Sequence, residues 1–234
     1  MAAVALLIAA TLTPSQAARA EEHGFLETIR RHIMQTSTGT DNGDLNPYAI
    51  VVAPVSGGNI HKDDVRVTNF NNLSNLQGIG GTIVDFSPLS RKTTLFATLP
   101  RRLPRCPGGI DLGTAMTMLK TGCVIVGSTL STDGATRTDS AGTGRVLISN
   151  DLLKRPGAMC FARNCDLLVT NAETGQVVEV DPRSCKQLCA QWVDSNRAQS
   201  RPGNGDLFGT AMTPDGSGFY YVEDDVNTLM EAAR

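Results

Sequence analysis

Two stretches of this chain repeat each other in order. Val67-Thr68-Asn69 is followed by Thr82-Ile83-Val84-Asp85-Phe86-Ser87-Pro88 and then Ser90-Arg91-Lys92. Val169-Thr170-Asn171 is followed by Gln176-Val177-Val178-Glu179-Val180-Asp181-Pro182 and then Ser184-Cys185-Lys186. Each copy reads as a strand, a turn, an apolar strand ending in an acidic residue and x-Pro, a second turn and another strand. A second repeat is sharper: Gly113-Thr114-Ala115-Met116-Thr117 recurs unchanged as Gly209-Thr210-Ala211-Met212-Thr213, with Asp111-Leu112 and Asp206-Leu207 upstream. Between the repeats, short apolar or alternating runs at 49–52, 64–67, 82–86, 94–97, 123–126, 167–170, 176–180, 187–193 and 219–222 predict strands separated by Gly, Pro, Asn and Asp.

Four units emerge, at about 44–100, 108–148, 157–193 and 205–232. A four-stranded meander cannot bury both of its faces alone, and stacking such sheets radially solves the problem. The expected fold is therefore all-β and β-propeller-like, with about four blade units, incomplete or open; an open solenoid or a β-sandwich is the competing arrangement. Composition agrees: 41% of residues are hydrophobic, enough for a core, while 23 glycines and 11 prolines imply frequent turns. Net charge is -2 with only short basic runs, which gives no electrostatic footprint for nucleic acid.

Residues 1–12 are almost wholly apolar, too short to span a bilayer, and small residues follow at Ser15-Gln16-Ala17 and Ala18-Arg19-Ala20. This predicts a signal peptide at 1–20, although no Lys or Arg precedes the apolar run, and a periplasmic or secreted protein without an integral membrane segment. A leader at 21–43 follows, in which Phe25, Leu26, Ile29, Ile33 and Met34 have helical spacing and predict a short helix. Residues 44–234 form the propeller domain.

Asn46-Pro47-Tyr48-Ala49-Ile50-Val51-Val52-Ala53-Pro54, Asn69-Phe70-Asn71-Asn72, Gly203-Asn204-Gly205-Asp206-Leu207-Phe208-Gly209 and the run from Thr213-Pro214-Asp215-Gly216 to Tyr221-Val222 resemble bacterial exported propellers with NHL/YVTN-type repeats. That resemblance implies six or so blades. This sequence looks like the first blades joined to the last, with a seam near 132–138. It also implies that the last blade borrows its outer strand from the N-terminus, here from around residues 25–45. Failing that, open strand edges invite pairing with another chain, a homodimer in the simplest case.

In a propeller, polar residues just before the inner strands converge on the axis. Here they are Asp44, Asn46, Asp111, Arg155, Asn204 and Asp206, a set of oxygen ligands suited to a divalent cation such as calcium, or ordinary turn formers bonding their own backbone. Gluconolactonase-type propellers hold one metal with Asn, Asp and Glu from different blades; Asn69 and Asn171 end the V-T-N strands, but no clear set from consecutive blades is present. Gly78-Ile79-Gly80-Gly81 lacks the lysine of a phosphate loop, and G-x-S-x-G, H-E-x-x-H and C-x-x-C are all absent. Cys165 and Cys185 stand where the turns favour glycine; Cys160 with Cys165, and less readily Cys185 with Cys189, are the disulfides to consider. The expected function is an exported binding or scaffold domain for a protein or small-molecule ligand. The alternatives are a lactonase-like metal-dependent hydrolase and a degraded copy without function.

Overall fold

The computed structural model describes residues 24–99, 113–118, 124–128, 151–154, 156–196 and 206–234. A 3-10 turn, Phe25–Thr28, leads into β1 (Arg31–Ser37). Sheet I contains β2 (Leu45–Val52), β3 (Val65–Asn71), β4 (Thr82–Ser87) and β5 (Lys92–Thr98) in that order. Sheet II pairs β6 (Gly113–Met118) with β7 (Val124–Ser128). Sheet III runs β8 (Pro156–Phe161), β9 (Leu167–Asn171), β10 (Gln176–Asp181) and β11 (Lys186–Trp192). Sheet IV runs β12 (Leu207–Met212), β13 (Phe219–Glu223) and β14 (Thr228–Ala233), with β1 on its outer edge. The protein is all-β, and among the described residues every strand pairing is antiparallel.

The alternation of apolar residues sets the stacking order of the sheets. Leu168 and Val177 of sheet III pack on Leu207, Phe219, Tyr221 and Ala232 of sheet IV. The other face of sheet IV, with Tyr220, Val222 and Leu229, packs on Ile50, Val65, Val67, Val84 and Phe86 of sheet I. Val51 and Phe96 of sheet I then meet Met118 and Val124 of sheet II. The order is III, IV, I, II, so the last sheet in sequence lies against the first, as in a propeller. On the far side of sheet III, Val169, Val178 and Val180 pack only with side chains of their own unit, and among the described residues the ring stays open there. The expected seam at 132–138 lies outside the described residues.

Residues 24–34 do not form the expected helix. Ile33 and Met34 are in β1, whose register against β14 runs from Arg31 opposite Ala233 to Ser37 opposite Thr228. The helical spacing is real only at Phe25, Leu26 and Ile29, which the 3-10 turn inserts between sheets III and IV. Tertiary pairing outweighs a weak local preference. Glu179, wholly buried, fixes the turn by accepting hydrogen bonds from the backbone N–H groups of Phe25 (2.7 Å) and Leu26 (2.9 Å). The borrowed outer strand is thus supplied by β1.

The repeated V-T-N motif has a structural reason. Pro47 pairs with Asn69 and Ile50 with Val67, so Tyr48 and Ala49 bulge opposite Thr68. Pro156 pairs with Asn171 and Met159 with Val169, so Gly157 and Ala158 bulge opposite Thr170. Each threonine hydroxyl accepts the N–H that its bulge leaves over, from Ala49 at 3.0 Å and from Ala158 at 2.8 Å. Each asparagine ties down the loop before its inner strand, Asn69 through Thr38 O and Asn171 through Leu152 O, both at 2.7 Å.

The cysteines at 160, 165, 185 and 189 are free. The disulfides considered at 160–165 and 185–189 do not form. Cys160 and Cys189 pack at the apolar cluster between sheets III and IV, while Cys165 and Cys185 are exposed in tight turns at φ 67° and 57°.

Candidate functional site: the axial cleft

A third bulge completes the pattern. Leu207 pairs with Glu223 and Thr210 with Tyr221, leaving Phe208 and Gly209 opposite Val222. The inner strands pack side by side, β8 on β12 and β12 on β2, with β6 beyond β2. Their bulged tripeptides, Gly157-Ala158-Met159, Phe208-Gly209-Thr210 and Tyr48-Ala49-Ile50, line one cleft of about 180 Å³ together with Met116 of β6. A bulge re-aims a strand's side chains and interrupts its ladder, and three equivalent bulges around one axis make a concave site. The Tyr48 and Phe208 rings stack at 4.2 Å, and Phe70 stacks on Tyr48 at 5.1 Å. The Thr170 hydroxyl donates across the sheet boundary to Phe208 O at 2.9 Å, locking sheet III to sheet IV beside the cleft.

Of the six residues proposed for the axis, Asp111, Arg155 and Asn204 lie outside the described residues. The Asp44 carboxylate accepts from the backbone N–H groups of Gly81 (2.9 Å) and Thr82 (3.1 Å), tying the β1–β2 loop to the start of β4. Asn46 has φ 62° and donates its backbone N–H to Asn227 Oδ1 at 2.6 Å. Asp206 is buried and accepts the Asp224 N–H through its carbonyl at 2.8 Å. Among the described residues no three His, Cys, Asp or Glu side chains come together as a metal site. Sequence reasoning missed Tyr48, Phe208, Met116 and Met159. The shared Pro-x-Ala of Pro47-Tyr48-Ala49 and Pro156-Gly157-Ala158 was the available signal.

Carboxyl groups around the turns of sheets I, III and IV carry raised pKa values. Burial pushes Glu223 up to about 7. Burial, then the charge of Asp206, pushes Asp224 up to about 7. Burial lifts Asp85 to about 6 against the pull of Arg66, whose guanidinium lies 3.0 Å away and over the Phe96 ring. Burial, then Glu179, lifts Asp166 to about 6, but Asp166 is more exposed and water screens it, so Glu223 and Asp224 dominate. A raised carboxyl pKa means proton uptake on folding. That stability is fully present below the unfolded value of about 4 and is lost as pH rises through the folded values. Asp215, lowered to about 2 chiefly by its hydrogen bonds with Ser217 and Thr213, acts only at more acid pH. The melting temperature is therefore expected to be higher at about pH 5 than at about pH 8, by roughly 5 °C. A flat or reversed profile in thermal unfolding would show that these carboxyls are not desolvated.

Four sheets ranged around one line of inner strands define a β-propeller-type protein, open on one side among the described residues. No protein-family model matches the chain, and no curated protein matches it. Among solved structures it is similar to virginiamycin B lyase from Staphylococcus aureus, at 13% identity and a TM-score of 0.27, covering 87% of this chain and 57% of that one. It is also similar to the gluconolactonase XC5397 from Xanthomonas campestris, at 13% identity and a TM-score of 0.31, covering 84% of this chain and 60% of that one. A putative gluconolactonase matches at 12% identity and a TM-score of 0.30, covering 83% of this chain and 61% of that one. The chain thus spans less than two thirds of the length of each of these proteins.

Proposed function

We propose that the chain is an exported propeller-type binding domain, acting in the periplasm or outside the cell, whose ligand enters the axial cleft. The observation that carries this reading is the convergence of three equivalent bulges, from β2, β8 and β12, on one cleft with stacked aromatic rings on its wall. Export rests on the apolar run at 1–12 and the small residues after it. A lactonase-like hydrolase needs oxygen ligands from separate sheets around one point, and among the described residues no three His, Cys, Asp or Glu side chains come together. Asn69 and Asn171 are engaged in holding loops.

Isotope-labelled methionine methyl groups provide the test. Met116 and Met159 line the cleft, whereas Met212 and Met230 pack in the cluster between sheets III and IV. In a screen of small-molecule fragments by NMR, binders are expected to shift the Met116 and Met159 methyls and leave the other two in place. Binders that shift only other methyls would refute the axial site.

A further inference from the structure

The two copies of the V-T-N motif differ in one hydrogen bond. In sheet III the loop before β8 satisfies both ends of the Asn171 amide. Its Nδ2 donates to Leu152 O at 2.7 Å, and its Oδ1 accepts the Lys154 N–H at 3.0 Å. In sheet I the Asn69 Nδ2 donates in the same way to Thr38 O at 2.7 Å, and also to Thr82 Oγ1 at 3.2 Å. The N–H two residues further on, that of Thr40, is instead turned to Asp44 O at 3.2 Å. The Asn69 Oδ1 is left buried without a hydrogen-bond partner. Turning the amide over would not relieve it, because an oxygen would then face Thr38 O.

Asn71 lies two residues along β3 and on the same face. Its Nδ2 donates to Asn75 Oδ1 at 2.6 Å, and its buried Oδ1 also has no partner. Asn69 is 1% exposed and Asn71 3%, so both oxygens are shut off from bulk water. Buried polar groups in this condition are rare and costly unless something bound satisfies them. A third oxygen donor reaches the same place. Asp44 directly precedes Leu45, which pairs with Asn71, and the Asp44 carboxylate accepts from Gly81 and Thr82 at the start of β4. Because β3 lies between β2 and β4, the Asp44 side chain spans the end of β3. Thr82 joins the parts, with its N–H on Asp44 and its hydroxyl on Asn69. Two amide oxygens and a carboxylate repel one another until positive charge stands between them.

We propose that Asp44, Asn69 and Asn71 hold a calcium ion at the end of sheet I, with water completing its shell. The site shares no residue with the lining of the axial cleft. Calcium takes carboxylate and amide oxygens in irregular shells, whereas magnesium demands a near-ideal octahedron and keeps more of its water. One carboxylate among the ligands places the affinity with that of extracellular calcium modules, a Kd of about 10⁻⁴–10⁻³ M. Bound there, the ion fastens the loop at 38–44, and through it β1, to sheet I.

Thermal unfolding of the full chain, first stripped of metal with EDTA, tests the site. Calcium chloride at about 5 mM is expected to raise the melting temperature by roughly 2–6 °C. Magnesium chloride at the same concentration should raise it by less than about 1 °C, as should sodium chloride of equal ionic strength. Asn71→Leu removes one ligand and should abolish the calcium shift. Asn71→Asp adds a charge beside Asp44. It should melt lower without metal and bind calcium at least about threefold more tightly, and it keeps the proposal testable if Asn71→Leu does not fold. No calcium shift in the unaltered protein would overturn the proposal and leave both amide oxygens to buried water. A calcium shift undiminished in Asn71→Leu, or no tightening in Asn71→Asp, would show that the ion binds elsewhere. An equal shift with magnesium would overturn the assignment to calcium.

Discussion

A chain beginning at Thr38 is expected not to fold. Removing residues 24–37 takes away β1, which pairs along β14 from Ala233 to Thr228, and the buried side chains of Phe25, Leu26 and Ile29. Burying three large apolar side chains contributes roughly 5–9 kcal/mol, and a domain's whole stability is about 5–15 kcal/mol. The loss also removes the two hydrogen bonds that Glu179 accepts from the backbone of Phe25 and Leu26, each contributing about 1 kcal/mol. It bares the edge of β14 for pairing with other chains. The truncated protein should be recovered aggregated or without a cooperative thermal transition, and a synthetic peptide of residues 24–37 added during refolding should restore the transition. Met34→Lys is the control: Met34 is 54% exposed on β1, and the change should move stability by no more than about 0.5 kcal/mol. A cooperative transition in the truncated chain within a few degrees of the full one would show that β1 is an ornament on sheet IV rather than part of it.

The same segment shows where sequence reading stopped. Repeats located the sheets because β3, β4 and β5 copy β9, β10 and β11 strand for strand, and the two G-T-A-M copies lie in the inner strands β6 and β12. The segment around Phe25, Leu26 and Ile29 was misread because its spacing fits a helix, while its partner β14 lies some two hundred residues away and leaves no local mark. The roles of Thr68, Thr170, Asn69 and Asn171 were hidden for a related reason. Their bonds reach bulges and loops whose position depends on register, and register is a property of pairs of strands. The cleft was least legible of all. Beyond the Pro-x-Ala that Pro47-Tyr48-Ala49 shares with Pro156-Gly157-Ala158, the three bulges have no common pattern, and it is the place of two residues opposite one of the neighbouring strand that makes them equivalent. Charged residues before the strands drew attention instead, and Asp44 shows why that signal is weak: a carboxylate at a strand entrance has backbone N–H groups within reach, here those of Gly81 and Thr82.

Gly209→Ala is expected to separate the first sheet from the last. A Cβ at this position would lie 2.3 Å from Tyr48 O and 2.9 Å from both Ile50 N and Ile50 Cγ1. Two of those atoms are backbone of β2, so no side chain can swing aside, and β12 must retreat from β2. That movement unpacks Ile50, Val67 and Val222 behind it and parts the Tyr48–Phe208 stack. Forcing one methyl group into a closed contact costs about 1–3 kcal/mol, and the top of that range applies where backbone faces backbone. For a protein of this size about 3 kcal/mol lowers the melting temperature by roughly 6–12 °C. The same change at Gly57, where a Cβ meets nothing within 4 Å, should leave the melting temperature within about 2 °C. The loss at Gly209 should come with a change in the Met159 and Met116 methyl signals, because the cleft they line is framed by this contact. If Gly209→Ala melts with the unaltered protein, β12 and β2 do not touch in solution. The first and last sheets would then be neighbours in sequence pattern only, and the cleft would lose two of its three walls.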